Sequence, residues 1–157
     1  MRARRTLLGS AILFALALSL VLLPPGAASG SAQTAPAGPV PAHHRAAPDG
    51  PLPATLSPAL FTDPVIQNAY AIAARIKKTL YQQPCYCHCD RSIGHGSLLD
   101  CYVSQHATGC DICVRETFYA SEQQRKGKTP AQIRAGIIRA DWEKMDISRY
   151  QKYPPAK

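Results

Sequence analysis

Three observations predict a small all-α domain. Helical periodicity starts behind Asp63-Pro64 and again behind Thr129-Pro130, no segment shows convincing strand alternation, and all six cysteines fall in one short stretch. The expected architecture is a small bundle of about four helices around a cysteine-rich loop, following a signal peptide and a disordered linker. The chain of 157 residues then divides into a leader (1–32), a linker (33–60), the cysteine-rich helical domain (61–153) and a short tail (154–157).

The leader is read from its order of residue types. Arg2, Arg4 and Arg5 come first, Leu7 to Leu23 is nearly unbroken apolar chain, and small residues follow from Ala27 to Ala32. Basic, then apolar, then small is the order of a secretory signal peptide. A cut after Gly30 or Ala32 would leave a mature start between Ser31 and Gln33. The competing reading is a retained anchor, for which the apolar run is at the short limit. Arg4-Arg5 also suits a twin-arginine export signal as well as the ordinary route. No cysteine lies near the cut for lipid attachment. The expected location is therefore outside the cytoplasm, periplasmic or extracytoplasmic, with membrane contact only through this segment if it is kept.

Gln33 to Ser57 is rich in Pro, Ala and Gly, and ten of the 14 prolines lie between Pro24 and Pro64. Such a stretch lacks the large apolar residues that bury a core, so it reads as a linker. His43-His44 within it is discounted as a metal site. Ordered structure is expected from about Phe61, where Asp63 can cap free amides and Pro64 suits the first helical position. Val65, Ala69, Ile72, Ile76 and Leu80 repeat at helical spacing until Pro84 stops the run. A cysteine loop fills 85–96. Ser97-Leu98-Leu99-Asp100 resembles a capping box opening a short helix toward His106. Asp111 to Lys126 reads as a third helix ended by Gly127. Thr129-Pro130 caps a fourth, with Ile133, Ile137, Ala140 and Trp142 or Met145 inward and Lys128, Arg134 and Arg139 wet.

The net charge is +8, of which three charges belong to the leader arginines. The remaining basic residues are scattered among acids, so no nucleic-acid partner is expected. There is no C-x-x-C-H for haem attachment, no Ser/His/Asp arrangement and no glycine-rich phosphate loop. No catalytic constellation is recognised, and no enzyme is expected.

The chemistry lies in sulfur. Cys85, Cys87 and Cys89 alternate, and Cys101, Cys110 and Cys113 complete a set confined to positions 85–113. Cys110 and Cys113 share one helical face with Val114, Thr117 and Phe118, so their thiols point inward at a helix start. His88, His95 and His106 stand close by in sequence. Soft sulfur selects ions such as Zn(II) or Cu(I), and six cysteines exceed one tetrahedral site. They suit two metals with bridging thiolates, or one site plus a disulfide. The candidate ligands are Cys85, Cys87, Cys89, Cys101, Cys110, Cys113, His95, His106 and His88. Two other readings stay open. Three disulfides would staple an interaction domain, since a small exported chain with an even cysteine count is a usual setting for bridges. A catalytic dithiol redox protein is more remote. Tyr86, Asp90 and Asp100 are expected to pack or cap.

At these residues the chain resembles a bacterial family of exported proteins and lipoproteins named for a Pro-Cys-Tyr-Cys-Gly-Cys motif. The resemblance rests on Pro84 to Cys89, on Gly94-His95-Gly96-Ser97-Leu98-Leu99-Asp100-Cys101, on His106-Ala107 and on Cys110-Asp111-Ile112-Cys113. It covers about Ala69 to Trp142 and implies an exported helical domain whose role is uncharacterised. In two places the chain departs from the family. His88 stands where the motif has glycine, and the lipid-attachment cysteine of some members is absent. The resemblance implies that His95 and His106 recur beside the six cysteines, which favours a metal, and the expected role is metal storage, sequestration or delivery.

Overall fold

The computed structural model describes residues 38–154. The expected signal peptide and the first linker residues lie outside that range. Among the described residues every regular element is helical, as the sequence predicts. Helix α1 spans Pro64–Arg75, α2 Lys77–Leu80, α3 Cys89–Ser92, α4 Asp111–Arg125 and α5 Pro130–Ile138. Short 3-10 segments at Pro58–Leu60, Leu98–Tyr102, His106–Gly109, Asp141–Lys144 and Ser148–Tyr150 make the corners. No helix among the described residues is long and apolar enough to cross a membrane.

The helix starts follow the capping chemistry. Asp63 accepts the N–H groups of Val65 and Ile66, with Pro64 in the first turn. Thr129 accepts from the N–H of Gln132, whose side chain reaches back to the Thr129 N–H, again with proline behind the cap. Beyond α4, Gly127 takes φ +77°, the left-handed conformation that glycine adopts freely. Three boundaries differ from expectation. The first helical run breaks at Ile76, whose φ of −113° leaves the helical region and sets α2 off from α1. The short helix expected from Ser97 toward His106 is replaced by two 3-10 segments, Leu98–Tyr102 and His106–Gly109. Finally, α5 stops at Ile138, so Trp142 enters the core from a separate 3-10 turn.

Helix α4 is the centre of the domain. Its residues from Cys113 to Ser121 are buried apart from Arg115, and it packs against α1, α5 and the Asp141–Lys144 turn. Gly136 on α5 lets the helices close. A Cβ there would fall on the Tyr119 hydroxyl and 2.8 Å from Tyr119 Cζ. Phe118 stacks on Tyr150 with ring centroids 3.7 Å apart, and Asn68 Nδ2 donates to the Tyr150 and Lys152 carbonyls. These contacts fasten the C-terminal segment to the scaffold. Arg134, expected on the wet face, is half-buried and donates to the Gln82 carbonyl.

Ordered packing starts well before Phe61, which corrects the linker reading for the described part of 33–60. Pro41 is buried, and Leu52 and Leu56 pack against the core. The Leu56 N–H donates to the Tyr102 carbonyl, and His44 stacks on Tyr81 at 3.8 Å. This segment is a strap: it has almost no helix, and isolated side chains and backbone groups hold it to the helical body.

Candidate functional site

The cysteine loop is closed at its base before any sulfur is considered. Pro84 ends the first helical run, and the Leu98 N–H donates to the Gln83 carbonyl at 2.9 Å, joining the two ends of the loop. The Gln83 side chain is fully buried and donates to the carbonyls of Thr79 and Pro130. Within the loop a turn from the Cys85 carbonyl to the His88 N–H precedes the single turn of α3. His88 itself takes φ 57°, left-handed backbone that side chains adopt at a cost. That is the position where the family motif carries glycine, and the conformation explains why glycine suits it.

Three segments bring sulfur to one point. The loop supplies Cys85, Cys87 and Cys89, the 3-10 turn Leu98–Tyr102 supplies Cys101, and the start of α4 supplies Cys110 and Cys113. Cys85 Sγ lies 3.3 Å from Cys87 Sγ and 3.4 Å from Cys113 Sγ, and Cys87 Sγ is 3.7 Å from Cys113 Sγ. Cys89 Sγ is 3.5 Å from Cys101 Sγ. All six cysteines are free thiols. Their separations are far beyond the S–S bond of about 2.05 Å. They are close to the edge of about 3.8 Å that a tetrahedron of sulfurs has around zinc.

Two sets of four donor atoms each lie within 4.8 Å of one another: Cys85, Cys87, Cys101 and Cys113, and Cys87, Cys89, Cys101 and His106. The Cys87 sulfur is 3.9 Å from His106 Nε2. Cys110 stands just outside both sets, its Sγ accepting the Cys113 N–H at the mouth of α4. His95 also stands outside, with Nδ1 3.4 Å from Cys101 Sγ and its ring edge-on to His106 at 5.1 Å. His88 is not among the converging donors. Its ring meets Tyr86 edge-on at 5.9 Å and its Nδ1 is buried without a partner. His44 and His43, discounted from sequence, are occupied by Tyr81 and by the Pro41 carbonyl respectively.

Burial is uneven across the cluster. Cys85, Cys89, Cys101 and Cys113 are buried, whereas Cys87, Cys110, His95 and His106 are partly exposed. The site therefore has a dry floor and one wet face. The strap covers another side: Pro41 and Ala42 line a crevice with Cys85, Cys89 and His95. It is held there by the Ala42 N–H on Asp90 Oδ2 at 3.1 Å and by Arg91 on the Pro39 carbonyl.

Crowded thiols without a cation cannot all ionise. Hydrogen bonds from Cys101, Cys110, Cys113 and Cys85 hold the Cys87 thiol well below its ordinary range. The same contacts push its neighbours the other way: Cys85 upward chiefly through Cys101, Cys89 chiefly through Cys85, and Cys113 chiefly through Cys101 and Cys110. Ionisation within the cluster is therefore favoured at Cys87, the partly exposed thiol of the loop. A cation bound among them would displace the remaining thiol protons. Burial, then the neighbouring His106, lower the His95 imidazole, which favours the neutral ring.

Sequence reasoning missed Glu116. This acid is fully buried on α4, one turn beyond Cys113, and its Oε1 accepts the Tyr86 N–H at 2.9 Å in the middle of the cysteine loop. Burial, opposed by that hydrogen bond, pushes its carboxyl up to about 8. The signal was its place three residues after Cys113, on the inward face. Asp100 has the capping role expected of it, its Oδ2 accepting the N–H groups of Gly96 and Ser97. Tyr102 donates to the Cys113 carbonyl, joining the Cys101 turn to α4.

A family described as "protein of unknown function with PCYCGC motif" matches residues 42–144, a span that takes in the strap from Ala42 onward and every cluster residue. Neither the curated proteins nor the solved structures yield a match to this chain.

Proposed function

Since the chain belongs to the PCYCGC-motif family, we propose that this member is an exported soft-metal-binding protein, serving metal storage, sequestration or delivery. The observation that carries the reading is the convergence of free sulfurs, with His106, into two sets of four donors whose atoms lie within 4.8 Å of one another. Zn(II) and Cu(I) are the ions such donors select. Binding replaces thiol protons with metal–sulfur bonds and changes no oxidation state. The contacts do not fall into three exclusive pairs, because Cys85 is as near Cys113 as Cys87. Export, read from the leader, fits this chemistry: thiols left free outside the cytoplasm oxidise, and a bound ion protects them.

The wet face formed by Cys87, Cys110 and His106 would serve for entry and exit, the buried sulfurs for retention. The test is elemental analysis with thiol titration on protein exported by its own cells and purified without added metal. About one equivalent or more of zinc or copper should co-purify, and chelation should lower the melting temperature because binding energy is folding energy. Six oxidised sulfurs with no metal would falsify the proposal.

A further inference from the structure

The two donor sets overlap. Both contain Cys87 and Cys101, while Cys85 and Cys113 belong to one alone and Cys89 and His106 to the other. One tetrahedral ion in the first set would leave Cys89 3.5 Å from Cys101 and His106 3.9 Å from Cys87, each close to an edge of a second tetrahedron. A thiolate sulfur has lone pairs enough to bind two metals at once. Resting on the metal-binding reading above, we infer that the cluster is a binuclear centre: two soft ions share Cys87 and Cys101 as bridging thiolates, one completed by Cys85 and Cys113, the other by Cys89 and His106.

The arrangement accounts for the donor types. Five thiolates and one imidazole around two divalent ions leave a single negative charge, far less than two separate four-sulfur sites would carry. It also makes the ions unequal. The all-sulfur ion has three buried ligands of four, whereas the other has both Cys87 and His106 at the wet face. The histidine-bound ion is therefore the one that exchanges, and the all-sulfur ion the one that stays. Cys110 and His95 fall outside both coordination sets. Binding forms eight metal–ligand bonds at six donors and releases the thiol protons to water, with no electron transfer.

The experiment loads the full chain, kept reduced, with cadmium-113 and counts bound metal beside its NMR spectrum. The expected result is two equivalents and two cadmium signals that split each other, because scalar coupling passes through a shared sulfur. His106→Ala and Cys85→Ser should each retain one equivalent, with opposite signals lost, and Cys87→Ser should fall below one. Two uncoupled signals, or a full equivalent retained by Cys87→Ser, would overturn the bridging. One equivalent with one signal would overturn the binuclear centre while leaving the metal-binding function standing, and no binding at all would overturn both. If the variants fail to fold, the coupling in the unaltered chain decides alone.

Discussion

The Cys85–Cys89 loop and the start of α4 bring sulfur to the same cluster by opposite means. Cys113 is held by regular helix, by the Tyr102 hydroxyl on its carbonyl and by the aromatic packing around Phe118 one turn further on. That support would stand with no metal bound. The loop has no such backing. It depends on the Gln83–Leu98 bond at its base, the Glu116 carboxyl on Tyr86, the left-handed residue His88 and the strap on Asp90. The difference teaches where metal occupancy will be felt. The helix presents a fixed floor of sulfur, and the loop closes over it only as far as a few hydrogen bonds and, on the proposed function, a bound ion require. Local opening free energies follow such contact density.

The largest effect should come from cutting both sides of this comparison at once. Cys87→Ser in the loop and Cys113→Ser on the helix should each cost the metal-loaded protein on the order of 4 kcal/mol, the size typical of a lost metal site. The double variant should be scarcely worse than Cys87→Ser alone, because on the proposed function both residues serve a shared ion. Thermal melts of the three variants with and without chelator check this. Additive losses that ignore chelator would mean the two regions are stapled separately, as disulfides would staple them.

Next in size is Glu116, the α4 side chain that holds the loop backbone through the Tyr86 N–H. Glu116→Ala should destabilise the metal-free protein by about 2–3 kcal/mol, leaving the part-buried Tyr86 N–H unpaired and a cavity where the buried carboxyl stood. Glu116→Gln keeps the accepting oxygen and should stay close to the parent. The carboxyl stands at about 8 in the folded chain, above its unfolded value. Its contribution to stability is therefore full in acid and is lost as pH rises through 8. A pH series of melting temperatures should fall more steeply for the parent than for Glu116→Gln. Equal slopes would remove Glu116 from the account.

How much of this was legible in the sequence follows the same division. The helical side announces itself through local chemistry: Asp63-Pro64, Thr129-Pro130, Gly127 and the Cys110/Cys113 spacing each act within one turn, and the structure keeps all of them. The alternating cysteines marked the site, but not which sulfur meets which, because Cys101 and His106 arrive through tertiary folding of two 3-10 turns. The strap was illegible for a physical reason. Its holding groups are the amides of Ala42 and Leu56, together with Pro41, Leu52 and Leu56, spaced with no helical or strand period. Proline-rich composition suggested a linker, and only the folded partner surface makes it a strap. Glu116 was hidden because an acid on a helix is usually wet, and its burial depends on a loop 30 residues upstream.

A smaller effect probes the helical side alone. Gly136→Ala places a methyl against the Tyr119 ring between α4 and α5. Overpacking of this kind costs about 1–3 kcal/mol, against which the better helix propensity of alanine returns under 1 kcal/mol. The net should be a lower melting temperature with cadmium or zinc stoichiometry unchanged. If metal content fell with it, the scaffold and the loop would be one cooperative unit, and the comparison drawn above would fail.

The smallest effect sharpens the loop side. His88 stands where the family motif has glycine, and the sequence offers it as a candidate ligand. Its left-handed φ costs a residue with a Cβ roughly 1 kcal/mol, which glycine avoids. Its Nδ1 is buried with no partner, so removing the ring also removes an unsatisfied polar atom. Against these gains stand the edge-on contact with Tyr86 and the extra freedom glycine gives the unfolded chain. His88→Gly should therefore leave stability unchanged or raise it by up to about 1 kcal/mol, with the metal count intact. Metal titration of the variant beside its melting curve decides the point. A lost equivalent would make His88 a ligand that swings in when the ion binds, and the loop, not the helix, would then set the metal stoichiometry of this family member.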